Sequence, residues 1–165
     1  MNQLENITIR HELRPGDLGQ VVELHGRIYA DEHGFGLGFE AYVMDSLLEF
    51  YGQYDPQRDK VWIVEDQGKM VGFLLLMHRQ DQQAQLRYFI LEKPYRGQGL
   101  GKKLMQDWMD FYQEKGYKGA YLYTTLGLEP AAKIYEQFGF KKISQMKSKT
   151  FGVNILEILF RLENK

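Results

Sequence analysis

A single mixed α/β domain is the fold class this sequence predicts, with a mixed, mostly antiparallel sheet of about seven strands flanked by about four helices. Three observations predict it. Apolar residues alternate with period two in some segments and recur at three- and four-residue spacing in others, in the order β-α-α-β-β-β-α-β-α-β-β. Two turn sequences, Asp66-Gln67-Gly68-Lys69 and Asp81-Gln82-Gln83, link neighbouring strands as hairpins. A strand at 85–91 then runs into a glycine-rich loop, a helix and another strand, the pattern of a parallel pair joined by a right-handed crossover.

The elements follow in order. Residues 7–13 (Ile-Thr-Ile-Arg-His-Glu-Leu) are rich in β-formers and open the sheet. Pro15-Gly16 breaks that strand, and Asp17 is placed to cap a helix in which Leu18, Val21, Val22, Leu24, Ile28 and Tyr29 recur at helical spacing. Gly34, Gly36 and Gly38 end it in a flexible loop, and a second helix is expected at about 39–51. Asp55-Pro56 and Arg58-Asp59 turn the chain into a hairpin of 61–65 and 70–78, followed by the strand at 85–91. Residues 101–115 are helical, with Leu104, Met105, Trp108, Met109 and Tyr112 on one side and Gly116 as terminator. A strand at 120–125, a short helix at 130–138 with Pro130 in its first turn, and a closing strand pair at 140–147 and 153–162 complete the chain.

At 165 residues, 44% hydrophobic and 26% charged, the chain has the size and balance of one globular domain with its own core. A net charge of −1 provides no global basic field, which argues against a nucleic-acid partner. With no cysteine, disulfides, thiolate catalysis and thiolate metal sites are excluded. His11, His25, His33 and His78 are scattered, so no metal is expected. Residues 1–20 carry five charged side chains and no apolar run, and no stretch reaches the roughly 20 apolar residues of a membrane span. A cytoplasmic protein without a membrane partner is the expectation.

The chemistry concentrates in Pro94-Tyr95-Arg96-Gly97-Gln98-Gly99-Leu100-Gly101. Glycines let a loop turn tightly and bring its N–H groups close to a ligand. The helix that follows adds N–H groups without internal partners and partial positive charge, which together suit a phosphate. A nucleoside-triphosphate loop needs Ser or Thr after its Lys, but Lys102-Lys103 follows Gly101. A dinucleotide loop needs Gly-x-Gly-x-x-Gly, and this one reads Gly-x-Gly-x-Gly after a run of hairpins.

Arg96-Gly97-Gln98-Gly99-Leu100-Gly101 matches Arg/Gln-x-x-Gly-x-Gly/Ala, and so resembles the acyl-CoA pyrophosphate loop of the GNAT superfamily of N-acetyltransferases. A second match lies at 131–140, where Ala131, Tyr135, Gly139 and Phe140 resemble the family's Ala-x-x-x-Tyr-x-x-x-Gly-Phe signature. The element order over nearly the whole chain is also similar. Within the family, Leu122-Tyr123-Thr124-Thr125-Leu126, Phe151-Gly152, His25-Gly26 and Tyr29-Ala30 resemble the acetyltransferase domain of MarR-GNAT fusion proteins, here expected as a stand-alone enzyme.

The resemblance implies a central sheet with a splayed parallel pair and acetyl-CoA as co-substrate, with no metal. The backbone of Phe89, Ile90 and Leu91 would pair with the pantetheine arm. Arg96, Gly97, Gln98, Gly99, Leu100 and Gly101, with Lys102, would cradle the pyrophosphate. Tyr135 would protonate the leaving thiolate as general acid. Where some members carry a basic carboxylate on the strand, this chain has Leu86-Arg87-Tyr88, so the base is sought elsewhere; Glu32, as base or substrate contact, and His33 are candidates, and solvent is another. Leu128 stands where the family commonly has an Asn that contacts the arm, leaving that contact to backbone or Thr125. Tyr29, Phe35, Phe39, Tyr42 and Phe151 would wall an acceptor site for the primary amine of a small molecule or amino acid. A non-catalytic acyl-CoA-binding module and acetylation of a protein amine are the alternatives. Strand exchange occurs in family dimers, so a homodimer is one expected assembly.

Overall fold

The computed structural model describes residues 4–125 and 127–164. In chain order the elements are β1 (Ile7–Arg10), α1 (Asp17–His33), α2 (Leu37–Gln53), β2 (Lys60–Asp66), β3 (Lys69–His78), β4 (Gln83–Leu91), α3 (Leu100–Glu114), β5 (Gly119–Thr125), α4 (Glu129–Gln137), β6 (Lys141–Ser148) and β7 (Ile155–Glu163). The seven strands form one sheet in the order β1-β2-β3-β4-β5-β7-β6. Every neighbouring pair is antiparallel except β4 with β5. Leu126, the last residue of the stretch that resembles the MarR fusions, lies outside the described residues.

Helices cover both faces, and β3 shows why. Its residues 70–77 are all buried. A strand covered on both sides reads as a continuous apolar run rather than an alternation. On β2, consecutive side chains divide between the two faces. Trp62 and Val64 join Leu74, Leu104, Met105 and Trp108 in the core beneath α3 and α4. Val61 and Ile63 join Val21, Leu24, Phe50 and Leu75 beneath α1 and α2. Burying one such side chain contributes about 1.5–3 kcal/mol. The Trp108 indole also donates to the Leu75 carbonyl at 3.2 Å, tying α3 to the middle of the sheet.

Three expectations are corrected. β1 ends at Arg10 rather than at residue 13, because the chain there turns toward α1: the Arg10 guanidinium grips Glu65 on β2 and Asp17 at 2.8 Å each. Asp17 does not cap its own helix. Gly16 holds the cap position with a left-handed φ of 96°, while the Asp17 carboxylate accepts from Arg10 and from the Arg14 N–H. α2 begins at Leu37, two residues earlier than expected, and takes in Gly38. There the backbone of Phe151 lies 3.6 Å from where a Cβ would sit, so the β6–β7 connection packs on the helix at this turn.

Two features of the sheet position the site. The β4–β5 ladder is confined to 83–85 against 119–121, although both strands run on, so the pair opens beyond that point. In β4 the register against β3 shifts: Phe73 faces Ile90 but Leu75 faces Arg87. Tyr88 and Phe89 therefore share the single partner Leu74, a β-bulge, and Tyr88 takes a positive φ of 57°.

Candidate active site

A cavity of about 490 Å³ runs from the glycine loop through the opening between β4 and β5 to α1, α2 and the β6–β7 connection. Its loop end is built from backbone. Gly97 and Gly99 adopt φ of 72° and 84°, a region costly for residues with a Cβ, and a Cβ at either would project into open space. Among the described residues, no carbonyl or side chain accepts from the N–H groups of residues 97–102, whereas the Lys103 N–H already bonds the Gly99 carbonyl. These six donors are thus uncommitted, and four of their residues, Gly97, Gly99, Gly101 and Lys102, line the cavity at the start of α3, an arrangement that suits a pyrophosphate.

The other residues expected at this end fall into two groups. Phe89, Ile90, Leu91, Arg96, Gly101 and Lys102 line the cavity. Leu100 is buried in the core instead, and the Gln98 carboxamide donates to the Pro94 carbonyl at 2.7 Å, bracing the loop from behind. The Arg96 side chain is committed to partners within the protein. Its Nε donates to the Leu91 carbonyl at 2.7 Å, and one terminal nitrogen donates to Glu32 at 2.8 Å. This pair spans the two ends of the cavity. The Arg96 guanidinium holds the Glu32 carboxyl below the usual carboxylate range, which makes Glu32 a weak proton acceptor.

Tyr135 sits where the two ends meet. α4 carries it into the core against Phe89, Phe140 and Phe160, each at a ring distance of 6.2 Å. The residue is buried yet lines the cavity, and its hydroxyl makes no hydrogen bond among the described residues. Burial, and secondarily Tyr29, push its phenol well above the usual tyrosine range. Burial likewise pushes Tyr29 up to about 12. Both are proton donors at neutral pH. Thr125 and Leu128 line the opening beside α4.

The far end is built from side chains. On α1, His25, Ile28, Tyr29 and Glu32 line the cavity at three- and four-residue spacing, one face of the helix. Phe35 and Phe39 follow, and Phe151 reaches in from the β6–β7 connection to stand 5.6 Å from Phe35, 5.0 Å from Phe39 and 4.8 Å from Tyr42. All five expected aromatics therefore meet in one place. Phe35, Phe39 and Phe151 are mostly buried and also belong to the core, whereas Tyr42 is 39% exposed.

Sequence reading missed three lining residues. His25 is buried between Tyr29 and Tyr88, and its Nδ1 bonds the Val21 carbonyl at 2.8 Å. Burial lowers its pKa to about 4, so the ring is neutral. Its four-residue spacing from Tyr29 was the available signal. Tyr88 bonds the Ser46 hydroxyl at 2.5 Å, fixing the bulge to α2. Arg87 lines the cavity beside it, and the signal there was a charge among the otherwise apolar residues 86–91 of β4. Among the described residues, no group of three or more His, Asp or Glu side chains could hold a metal ion, and no helix is long and apolar enough to cross a membrane.

Known proteins resemble this chain in sequence and in fold. The profile of the Acetyltransferase (GNAT) family matches residues 23–140. The uncharacterized N-acetyltransferase YjgM of Escherichia coli (strain K12) is 34% identical over 101 residues, covering 59% of this chain and 60% of that one. The chain spans about half the length of the curated relatives it matches. An acetyltransferase from Streptococcus agalactiae superposes with a TM-score of 0.72 at 21% identity, covering 97% of this chain and 99% of that one. A Bacillus anthracis acetyltransferase solved with acetyl coenzyme A superposes with a TM-score of 0.57 at 20% identity, covering 70% and 69%. At these identities the superpositions establish the fold, a seven-stranded mixed sheet opened at its parallel pair. With the loop, the signature tyrosine and the profile match in agreement, the chain belongs to the acetyltransferase (GNAT) family.

Proposed function

We propose that the protein transfers an acetyl group from acetyl-CoA to the primary amine of a small molecule. One observation carries this reading: a single cavity joins the backbone-lined phosphate cradle to the aromatic end, with a protonated, uncommitted tyrosine hydroxyl between them. The residues fit such a donor. The N–H groups of residues 97–102 match a pyrophosphate, and the open edge of β4 at 86–91 matches an extended arm with amide groups of its own. The complex of the Bacillus anthracis neighbour with acetyl coenzyme A supports the choice.

Bound acetyl-CoA supplies the acetyl group as a thioester. The neutral amine attacks the carbonyl carbon, so that a C–N bond forms and the C–S bond breaks. The Tyr135 hydroxyl gives its proton to the departing sulfur and regains one from solvent. Its raised pKa keeps it protonated until the sulfur needs the proton. The amine's surplus proton leaves to water admitted through the cavity mouth. Glu32, committed to Arg96, positions that side chain rather than accepting the proton.

The test is thiol release from acetyl-CoA across a panel of amines, with mass spectrometry of the products. Release matched by N-acetylated amine is the expected result. Tight binding of acetyl-CoA with no turnover of any amine would instead identify a non-catalytic acyl-CoA-binding module.

A further inference from the structure

The bulge in β4 does more than open the sheet. Because Tyr88 and Phe89 share one partner on β3, the consecutive residues Arg87 and Tyr88 leave the strand on the same face, toward α2. The Arg87 guanidinium lies 5.0 Å above the Tyr88 ring. Its side chain is only 11% exposed, yet it lines the acceptor end of the main cavity and also a second cavity of about 490 Å³ alongside. That second cavity holds Arg79, Arg87 and Arg161 against Asp45 and Glu49.

Arg87 is poorly matched by its neighbours. Its nearest contacts are the Tyr42 hydroxyl at 3.4 Å and Glu49 at 3.6 Å, both long. Glu49 is half exposed and gives its other oxygen to Arg79 at 2.7 Å. Most of the Arg87 donors are therefore uncommitted among the described residues. A mostly buried guanidinium in this condition costs free energy that a bidentate carboxylate would offset. Glu157, which lines the same cavity from β7, is likewise without a hydrogen bond or ion pair among the described residues. Away from the glycine loop and its Lys102, an under-committed cation and an uncommitted carboxylate thus line one cavity, a combination that suits a zwitterion.

We propose that Arg87 anchors a carboxylate on the acceptor, and that the acceptor is an amino acid with an apolar side chain. This deepens the transferase reading and rests on it. Arg87 stands three residues before Ile90, about 10 Å along a strand at about 3.3 Å per residue and less across a bulge. An amino acid held by Arg87 places its amine toward Ile90 and Tyr135, and its side chain against Tyr29, Tyr42 and Phe151.

The experiment compares phenylalanine and leucine with their amides and with 2-phenylethylamine and isopentylamine, at saturating acetyl-CoA. The expected result is a kcat/KM advantage of about tenfold to a hundredfold for the free amino acids, the size of a charge-assisted hydrogen bond. The amides have less basic amines, so a larger fraction is unprotonated near neutral pH, and they bias the test against the proposal. R87Q should erase the advantage through KM rather than kcat, R87K should restore part of it, and acetyl-CoA affinity should report that both variants are folded. Equal use of amides and amino acids, or an R87Q loss shared by every acceptor, would overturn the Arg87 proposal and leave the transferase reading intact. No turnover of any amine by acetyl-CoA-bound protein would overturn both.

Discussion

At the loop end of the cavity the polar groups on offer are backbone N–H donors from residues 97–102, whereas at the far end they are side chains from α1, α2, β4, β7 and the β6–β7 connection. Backbone donors are identical at every residue, so the loop end is specified by where glycines fall. It suits a group that is always the same. Side chains can differ at every position, so the far end is specified by identity and suits a group that only particular side chains recognise. Tyr135 lies on the seam and touches both.

The contrast can be broken most forcefully at the loop. Gly99→Glu introduces a side chain at a φ of 84° and a negative charge into the phosphate cradle. Like-charge juxtaposition costs several kcal/mol, so acetyl-CoA affinity should fall by about a thousandfold in calorimetry. Unchanged affinity would show that the loop is not the donor end. At the seam, Tyr135→Phe should lower kcat by about a hundredfold while acetyl-CoA affinity stays within about twofold. A fall in affinity with kcat preserved would make the tyrosine a packing residue.

The far end should respond to pH as well as to substitution. His25 is buried with its pKa lowered from 6.5 to about 4 by desolvation. The unfolded chain takes up a proton on this side chain over that interval and the folded protein does not, so stability is complete above about pH 6.5 and falls as pH drops toward 4. The loss attributable to His25 is on the order of 3 kcal/mol. His25→Gln should flatten that part of the stability profile in denaturant titrations, and an unaltered slope would assign the loss to other groups. The smallest effect is expected where the two ends are joined by charge. Glu32→Gln removes the partly exposed partner of Arg96, a contact of about 0.2–1 kcal/mol, and should change the acetyl-CoA KM by less than about fivefold.

The same contrast explains what could be read from the chain. The glycine loop, α3 and the α4 tyrosine are encoded by short spacings, and each stands where those spacings place it. The aromatic end was legible as a set of residues because α1 and α2 keep a helical period. Its closing residue Phe151 was named for its resemblance, since nothing local to it says that it packs on Phe39. Arg87 was passed over because its direction depends on a bulge that arises from pairing with Leu74. No residue in Leu86-Arg87-Tyr88 announces a positive φ at a tyrosine. Asp17 was misread as a cap for a similar reason: the capping preference is local, and the Arg10 guanidinium that displaced it approaches from β1.

The ladder between β4 and β5 stops after three residue pairs, and both strands continue with their facing backbone edges unjoined. A sheet built this way is an incomplete fold that an extended ligand can finish, and the donor proposed above has the amide groups to do so. Resistance to unfolding then becomes a function of metabolite supply. At a donor concentration a hundredfold above its Kd, binding adds about 2.7 kcal/mol to the folded state. The amides of residues 86–91 should exchange hydrogen slowly when the donor is plentiful and faster as it runs down.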